Sequence, residues 1–304
     1  MTSNIYKDNY DIIIIGAGMV GLSLAHQLKI NNNDISILII DKEYEIGLHS
    51  SGRNSGVLHS GIYYKPNTLK SKICIKGAKR LKSWCKENNL KVLECGKVIT
   101  PQNENLDSQL DVLYKRGLAN GADVSIIDIK EFQKLVPYGR TSSGRAIWSP
   151  NTCVVNPKQI LKKLVSILRK KSVDFLLGEK ILNIDQDNSK VKLNTNISYK
   201  YLFNCAGLES DLIAKKFGLC KNKLLLPFKG IYWKLSNKCP FNFTTNLYPI
   251  PDLSQPFLGI HITPSTDGEV YLGPTAVPAL GRENYYGLED FDPWLSLKFL
   301  SIIS

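Results

Sequence analysis

Residues 10–41 limit what this chain can fold into more than any other stretch. An apolar run at residues 12–15 reads as a strand buried on both faces. Gly16-Ala17-Gly18-Met19-Val20-Gly21 follows directly. Helical apolar spacing through Leu22, Ala25 and Leu28 comes next, then a second apolar strand at residues 35–40 that ends on Asp41. The three glycines differ in what they permit. Gly16 allows a tight turn, Gly18 lets the backbone approach a pyrophosphate, and Gly21 lets helix and strand pack closely. The helix N-terminus offers unpaired N–H groups and a positive dipole end to phosphates. Asp41, about twenty residues beyond the last glycine, is placed to accept from a ribose hydroxyl, with Lys42 beside it. The alternative is a βαβ turn that uses glycine only for packing. The strand before, the helix after and the acid at the right distance favour dinucleotide binding.

The rest of the composition narrows the class. A chain of 304 residues can hold two domains, and 43% hydrophobic residues can supply a sizeable core. No stretch approaches the roughly 18 to 20 apolar residues that span a bilayer, and the first residues are polar, without a secretory apolar region. Seven scattered cysteines without a C-x-x-C pair suggest reduced thiols, so neither a disulfide frame nor a metal site is expected. The cytoplasm is the expected location. The net charge of +12 is concentrated in a basic amphipathic segment carrying Lys70, Lys72, Lys76, Lys79, Arg80, Lys82 and Lys86. That segment reads as a solvated helix face, with peripheral contact to the inner face of a membrane as the second reading. No nucleic-acid motif accompanies it, and nucleic acid is not an expected partner.

Along the chain, residues 49–64 are dense in Gly, Ser, His and Tyr and poor in large aliphatics. Such a stretch suits backbone laid against a ligand better than a core helix. A strand is expected at residues 92–100 and helices at 106–120 and 129–136. Asn156-Pro157 opens a helix, with Asn156 as N-cap and Pro157 at the first position. Strands follow at residues 173–177, 180–185, 190–194 and 199–204. The last ends in Cys205-Ala206-Gly207-Leu208, a second small-residue turn before a helix at 210–217. From residue 224 onward prolines and aromatics dominate, with strand alternation at 230–235 and 259–263. The expected class is therefore α/β: a Rossmann-like domain with a parallel sheet, and a mixed, largely antiparallel sheet domain with helices. Residues 1–80 and 150–215 are expected to form the first, and residues 81–149 and 216–304 the second.

Together these pieces resemble the L-2-hydroxyglutarate dehydrogenases (also called oxidases), within the glycine oxidase and sarcosine oxidase group of flavoproteins. The resemblance rests on Ile15-Gly16-Ala17-Gly18-Met19-Val20-Gly21, on the run from Asn54-Ser55-Gly56 through His59 to Tyr63-Tyr64, and on Tyr248-Pro249-Ile250-Pro251-Asp252. Pro256-Phe257-Leu258-Gly259-Ile260-His261-Ile262-Thr263 and Asp267-Gly268-Glu269-Val270-Tyr271-Leu272-Gly273-Pro274 continue it. The resemblance implies FAD, oxidation of L-2-hydroxyglutarate to 2-oxoglutarate, and electron delivery to a quinone or another acceptor. Two departures stand out. Family members are longer, so the chain is expected to be a truncated member, lacking a part that closes a loop over the flavin. The family often places an arginine after the residue matching Thr263, where this chain has Pro264-Ser265.

Roles follow for individual residues. Gly16, Gly18, Gly21, Asp41, Lys42, His49, Ser50, Asn54, Ser55, Gly56, Ala206 and Gly207 are the expected FAD contacts, with His49 orienting the flavin or its loop. A base must take the hydroxyl proton, and histidine is suited to this near neutral pH. His59 and His261 are the candidates, His59 slightly ahead because of its loop. A dicarboxylate needs cations and hydroxyl donors, for which Lys229, Arg282, Tyr63, Tyr64 and Tyr232 are the candidates. The substrate pocket is expected where residues 56–64 meet the sheet of residues 224–274. Other readings stay open: an FAD-binding but inactive fragment, an FAD-dependent amino-acid or amine oxidase of the same group, and a nicotinamide-dependent dehydrogenase, since Asp41 also suits NAD.

Overall fold

A computed structural model describes residues 6–193, 196–251 and 259–303. Asp252, Pro256, Phe257 and Leu258, part of the resemblance above, lie outside the described residues. The chain divides into two compact units. One comprises Met1–Asn54, Pro157–Pro227 and Pro278–Ser304; the other comprises Ser55–Asn156 and Phe228–Val277.

The first unit is built on a six-stranded sheet. Its parallel part runs, in order, through Asn196–Asn204, Asn9–Ile15, Ile37–Asp41 and Asp174–Leu177. A hairpin of Asn183–Asp185 and Lys190–Lys192 extends the sheet beyond Asn196–Asn204. Strands 9–15 and 37–41 are near-continuous apolar runs because both faces are covered. The helix Met19–Asn31 follows the glycine turn. The helix Pro157–Lys170 starts at the proline, as the sequence predicts, and buries Ile160, Leu161, Leu164, Val165 and Leu168, one stripe at helical spacing. A core of Tyr10, Ile13, Leu38, Ile40, Val191, Leu193 and Ile197 joins the hairpin to the parallel strands.

The glycine turn is held by backbone contact. Gly21 passes so near the turn that a Cβ on it would lie 2.0 Å from the Gly16 carbonyl oxygen and 3.2 Å from the Ile14 side chain. Gly16 has φ +109, and a Cβ there would sit 2.3 Å from the Cys205 carbonyl oxygen. The two small-residue turns therefore abut, backbone to backbone.

The second unit holds a seven-stranded mixed sheet. Its order is Trp233–Lys234, Val270–Gly273, His261–Pro264, Asn246–Pro249, Lys97–Thr100, Arg145–Ser149 and Ser125–Asp128. Neighbours are antiparallel except Asn246–Pro249, which runs parallel to Lys97–Thr100. The helix Asp107–Ala119 supplies Leu110 and Leu113 to a core with Ile62, Ile99, Val124, Ile147, Tyr248 and Ile250. A small sheet of Val57–Leu58, Cys153–Val155 and Val92–Leu93 completes the unit.

Several expectations need correction. The strand expected at 92–100 is two strands, Val92–Leu93 and Lys97–Thr100. Between them Gly96 takes φ +61, with Trp148 packed where a Cβ would be. The strand expected at 230–235 is only Trp233–Lys234. The C-terminal helix Pro293–Ile303 was not expected from the sequence. The unit boundaries also differ. Residues 55–80 go with the second unit, where Val57–Leu58 pairs with Cys153–Val155. Residues 278–304 go with the first, where Arg282 ties to Asp211.

Gly21→Ala is expected to lower the unfolding free energy by about 1–3 kcal/mol, the usual range for overpacking, or to prevent folding. The urea-denaturation midpoint measures this, and a parental midpoint would contradict the close approach.

Candidate functional site

Two sites emerge, one in each unit. In the first unit a cavity of about 470 Å³ opens at the glycine turn. Gly16, Gly18, Asp41, Lys42, His49, Ser50, Ala206 and Gly207 line it, all assigned to the cofactor from the sequence. Ile15, Ile181, Leu182, Leu212 and Ile213 supply apolar wall. Gly21 does the packing described above. The Asn54 amide braces the loop, donating to the Ser50 and Ser51 carbonyls at 3.0 Å each. Ser55 and Gly56 belong to the second unit.

The side chains around the cavity do more than the sequence implied. Asp41 accepts from the Ala17 N–H at 2.7 Å and from the Glu43 N–H at 2.9 Å, so it holds both ends of its own neighbourhood. Ser51 Oγ accepts from the Met19 N–H at 2.9 Å, at the start of the helix. Lys42 lies 2.6 Å from Glu43 and is also paired with Glu283. Burial pulls the Lys42 ammonium down, but the Glu283 and Glu43 carboxylates outweigh it and hold the charge. His49 bonds the Tyr285 hydroxyl through Nδ1 at 2.8 Å and Glu43 through Nε2 at 3.1 Å. Glu43, His49 and Glu283 are clustered as metal ligands could be, yet Lys42 already supplies their countercharge. Ser51, Glu283 and Tyr285 carried no distinguishing signal in the sequence.

In the second unit the two candidate bases lie in one buried polar cluster. His261, on the strand His261–Pro264, stacks on Tyr248 with ring centroids 3.9 Å apart. Tyr248, on Asn246–Pro249, meets the edge of His59 at 6.2 Å. His261 Nδ1 lies 3.0 Å from the Gly259 carbonyl, to which it donates, so Nε2 carries the lone pair. Burial, then the Lys97 charge, pull the His59 imidazole down to about 3. Burial lowers His261 as well. Both rings are therefore neutral near pH 7.

Lys97, which no sequence motif marks, is fully buried on the adjacent strand. Its Nζ sits 4.7 Å from the Tyr63 ring centroid and 5.2 Å from that of Tyr248. Burial brings its ammonium down to about 7. Among the described residues His59 Nδ1, the Tyr63 hydroxyl and Lys97 Nζ are buried without a hydrogen-bond partner, and the buried Tyr248 and Thr263 hydroxyls have only each other. The only sequence signal for Lys97 was a lysine heading the apolar run Val98-Ile99.

The family model for FAD dependent oxidoreductases matches residues 11–296. The chain belongs to that family. An L-2-hydroxyglutarate dehydrogenase of Caenorhabditis briggsae is 35% identical over 91% of this chain and 65% of its own length. Its counterpart in Homo sapiens is 34% identical over 91% and 63%, and that of Dictyostelium discoideum 35% over 93% and 68%. All three are described as mitochondrial. The chain thus spans about two thirds of the length of these curated relatives, and slightly less for the first two. Among solved structures, L-alpha-glycerophosphate oxidase from Mycoplasma pneumoniae, with FAD bound, aligns with a TM-score of 0.77 at 22% identity, over 96% of this chain and 78% of its own. Glycine oxidase from Geobacillus kaustophilus aligns with a TM-score of 0.76 at 16% identity, over 89% and 72%. At these identities the likeness concerns the fold.

The first-unit cradle fits the family's FAD. A Cβ on Gly18 would lie 2.9 Å from Ser51 Oγ, so only glycine leaves room there for the serine that accepts from the Met19 N–H. Bare backbone at a helix N-terminus suits a pyrophosphate, and the apolar wall suits a flat heterocycle.

The substrate candidates separate. Tyr63 is in the cluster, half-buried, with its hydroxyl out of contact with solvent. Tyr64 is half-buried, with Lys70 Nζ 5.8 Å from its ring centroid. Tyr232 is half-buried and hydrogen-bonded to the Ser55 side chain. Lys229 lies half-buried on the strand Phe228–Lys229. Arg282 belongs to the first unit, and its guanidinium grips Asp211 at 2.7 and 2.9 Å. Burial pushes the Asp211 carboxyl up, but Arg282 outweighs it and holds it below its ordinary value. The guanidinium is already paired with Asp211, which speaks against the substrate role expected for Arg282.

Arg282→Ala is expected to destabilise the protein by up to about 3 kcal/mol, because it leaves the buried Asp211 carboxylate with only Lys215 at 3.7 Å and the Leu225 N–H at 3.3 Å. Thermal denaturation measures it. A parental Tm with a raised KM would restore the substrate role.

Proposed function

We propose that this protein oxidises L-2-hydroxyglutarate to 2-oxoglutarate with FAD. The reading is carried by the second-unit cluster, where two neutral imidazoles lie beside tyrosine hydroxyls, and where His59 Nδ1 and the Tyr63 hydroxyl have no hydrogen-bond partner among the described residues. Its substrate comes from the L-2-hydroxyglutarate dehydrogenases to which the chain is similar. When bound, FAD supplies the two-electron acceptor that this oxidation requires.

The protein's own residues contribute in three ways. The glycine turn and Asp41 hold the nucleotide. A neutral imidazole, His59 or His261, takes the hydroxyl proton as the carbon–hydrogen bond breaks, since a base needs a free lone pair and must lie within hydrogen-bonding reach. The Tyr63 hydroxyl, unpartnered among the described residues, and the Tyr248 hydroxyl beside Thr263 donate to substrate oxygens. Low water access in the cluster strengthens each of these interactions.

Finer parts of the proposal are the electron acceptor, a quinone or another carrier, and contact between the exposed lysines of the helix Leu69–Glu87 and a membrane surface. Among the described residues no helix is long and apolar enough to cross a membrane. Seven free cysteines favour a reducing compartment.

The test is anaerobic. L-2-hydroxyglutarate should bleach the flavin absorption, and the D enantiomer, glycine and glycerol 3-phosphate should not. Bleaching by glycine alone would move the activity to amine oxidation. Replacement of the base, His59→Ala or His261→Ala, should slow bleaching about 10²- to 10⁴-fold with flavin content kept. If both variants bleach at the parental rate, neither imidazole is the base.

A further inference from the structure

We propose that Lys97 is the cation that grips a carboxylate of the substrate. This rests on the hydroxy-acid reading above and adds to it an anchor that no sequence motif marks.

The geometry carries the assignment. Lys97 leads a strand in the middle of the seven-stranded sheet and is fully buried. An ammonium has three N–H donors and no acceptor. Among the described residues none of the three meets an acceptor, although its Nζ is buried. The groups facing it are the Tyr63 and Tyr248 rings, His59, His261 and Cys74. No carboxylate is among them. Ring faces attract a cation but do not satisfy its N–H groups.

The surrounding orphans point the same way. The Tyr63 hydroxyl is also buried and unpartnered among the described residues, and the Tyr248 and Thr263 hydroxyls have only each other. The acceptors around Lys97, which are imidazole nitrogens, hydroxyl oxygens and the unpartnered Asn246 Oδ1 on the paired strand, are all neutral, so none of them supplies a counter-charge. A carboxylate is the complementary guest: two oxygens, up to four acceptor sites and one negative charge. Unpaired burial of a lysine is among the most unfavourable arrangements a core can contain. A sheet that retains one has its counter-ion arrive from outside.

Protonation provides a signature that a structural role would lack. The free ammonium is brought to about 7 by burial, so part of the population is neutral at pH 7.5. A bound carboxylate favours the charged form, so binding above pH 7 draws in a proton. The neighbouring groups stay silent there. His59 is held near 3, His261 is lowered, and burial raises Cys74, Tyr63 and Tyr248. Affinity for carboxylates should therefore fall with a slope approaching tenfold per pH unit above pH 7.

Glutarate, which has no hydroxyl to oxidise, is the probe, and the flavin-loaded protein is titrated by calorimetry from pH 6.5 to 8.5 in two buffers of different ionisation enthalpy. The parent should bind glutarate with proton uptake that grows with pH. Lys97→Met keeps the length and apolar stem. It should weaken glutarate by about ten- to a hundredfold, abolish the proton uptake, keep the flavin, and raise Tm above parental at pH 7.5, because a charge-bearing group has left the core. Lys97→Gln should lose the proton uptake in the same way. Glutarate affinity and pH slope unchanged in both variants would overturn the proposal while leaving the hydroxy-acid reading intact. If both variants lose glutarate but L-2-hydroxyglutarate leaves the parent's flavin oxidised, the carboxylate site stands and the reaction assigned to it falls. A parent that binds no glutarate overturns Lys97 as an anchor.

Discussion

In the first unit, a helix comes so close to the turn that starts it that a single methyl group would not fit. Gly21 lies against the Gly16 carbonyl, and Gly16 lies against the carbonyl of Cys205. From this approach follow the parallel placement of Asn9–Ile15 beside Asn196–Asn204 and the meeting of the two small-residue turns. The bare backbone of the cradle follows from it too. Side-chain hydrogen bonds then fix the details: Asp41 holds the Ala17 N–H, and Ser51 takes the first N–H of the helix. A site of this kind binds by lacking atoms, and its stability comes from the apolar strands beneath it.

The second unit works by the opposite means. Its sheet core contains Lys97, Tyr248 and His261 where aliphatic residues would pack better, with His59 and Tyr63 of the loop after Val57–Leu58 against them. Burial drives both imidazoles and the ammonium toward their neutral forms. Neutral imidazoles suit proton acceptance, and an ammonium poised near neutrality suits reversible pairing with an anion. These groups lower the stability of the unit in exchange for a prepared, water-poor site, as expected where local rules of packing are broken.

The two units also differ in how their residues are linked along the chain. The cradle draws mainly on one continuous stretch, and its motif could be read there. The cluster is assembled from the loop before Tyr63, the strand Lys97–Thr100 and two strands beyond residue 245. Its central pairing, Asn246–Pro249 alongside Lys97–Thr100, is parallel and joins segments separated in the chain by residues 101–245. No local pattern reports such a pairing.

What the sequence determined by itself was local. Residues 10–41 implied strand, turn, helix and strand because backbone periodicity and glycine's missing Cβ act within a few residues. Pro157 started its helix for the same reason. His59, His261 and Tyr63 were legible because polar residues in a Gly- and Ser-rich run or at the head of a strand depart from the surrounding pattern. Tertiary structure decided the rest. Only packing showed that Arg282 is committed to Asp211, that Lys42 and His49 share Glu43, and that residues 278–304 join the first unit. Only packing set Lys97 against Tyr63 and Tyr248. Partner choice for a long charged side chain depends on which distant segments are brought within a few ångströms, and on whether water is excluded there. Neither condition is written in the spacing of neighbouring residues.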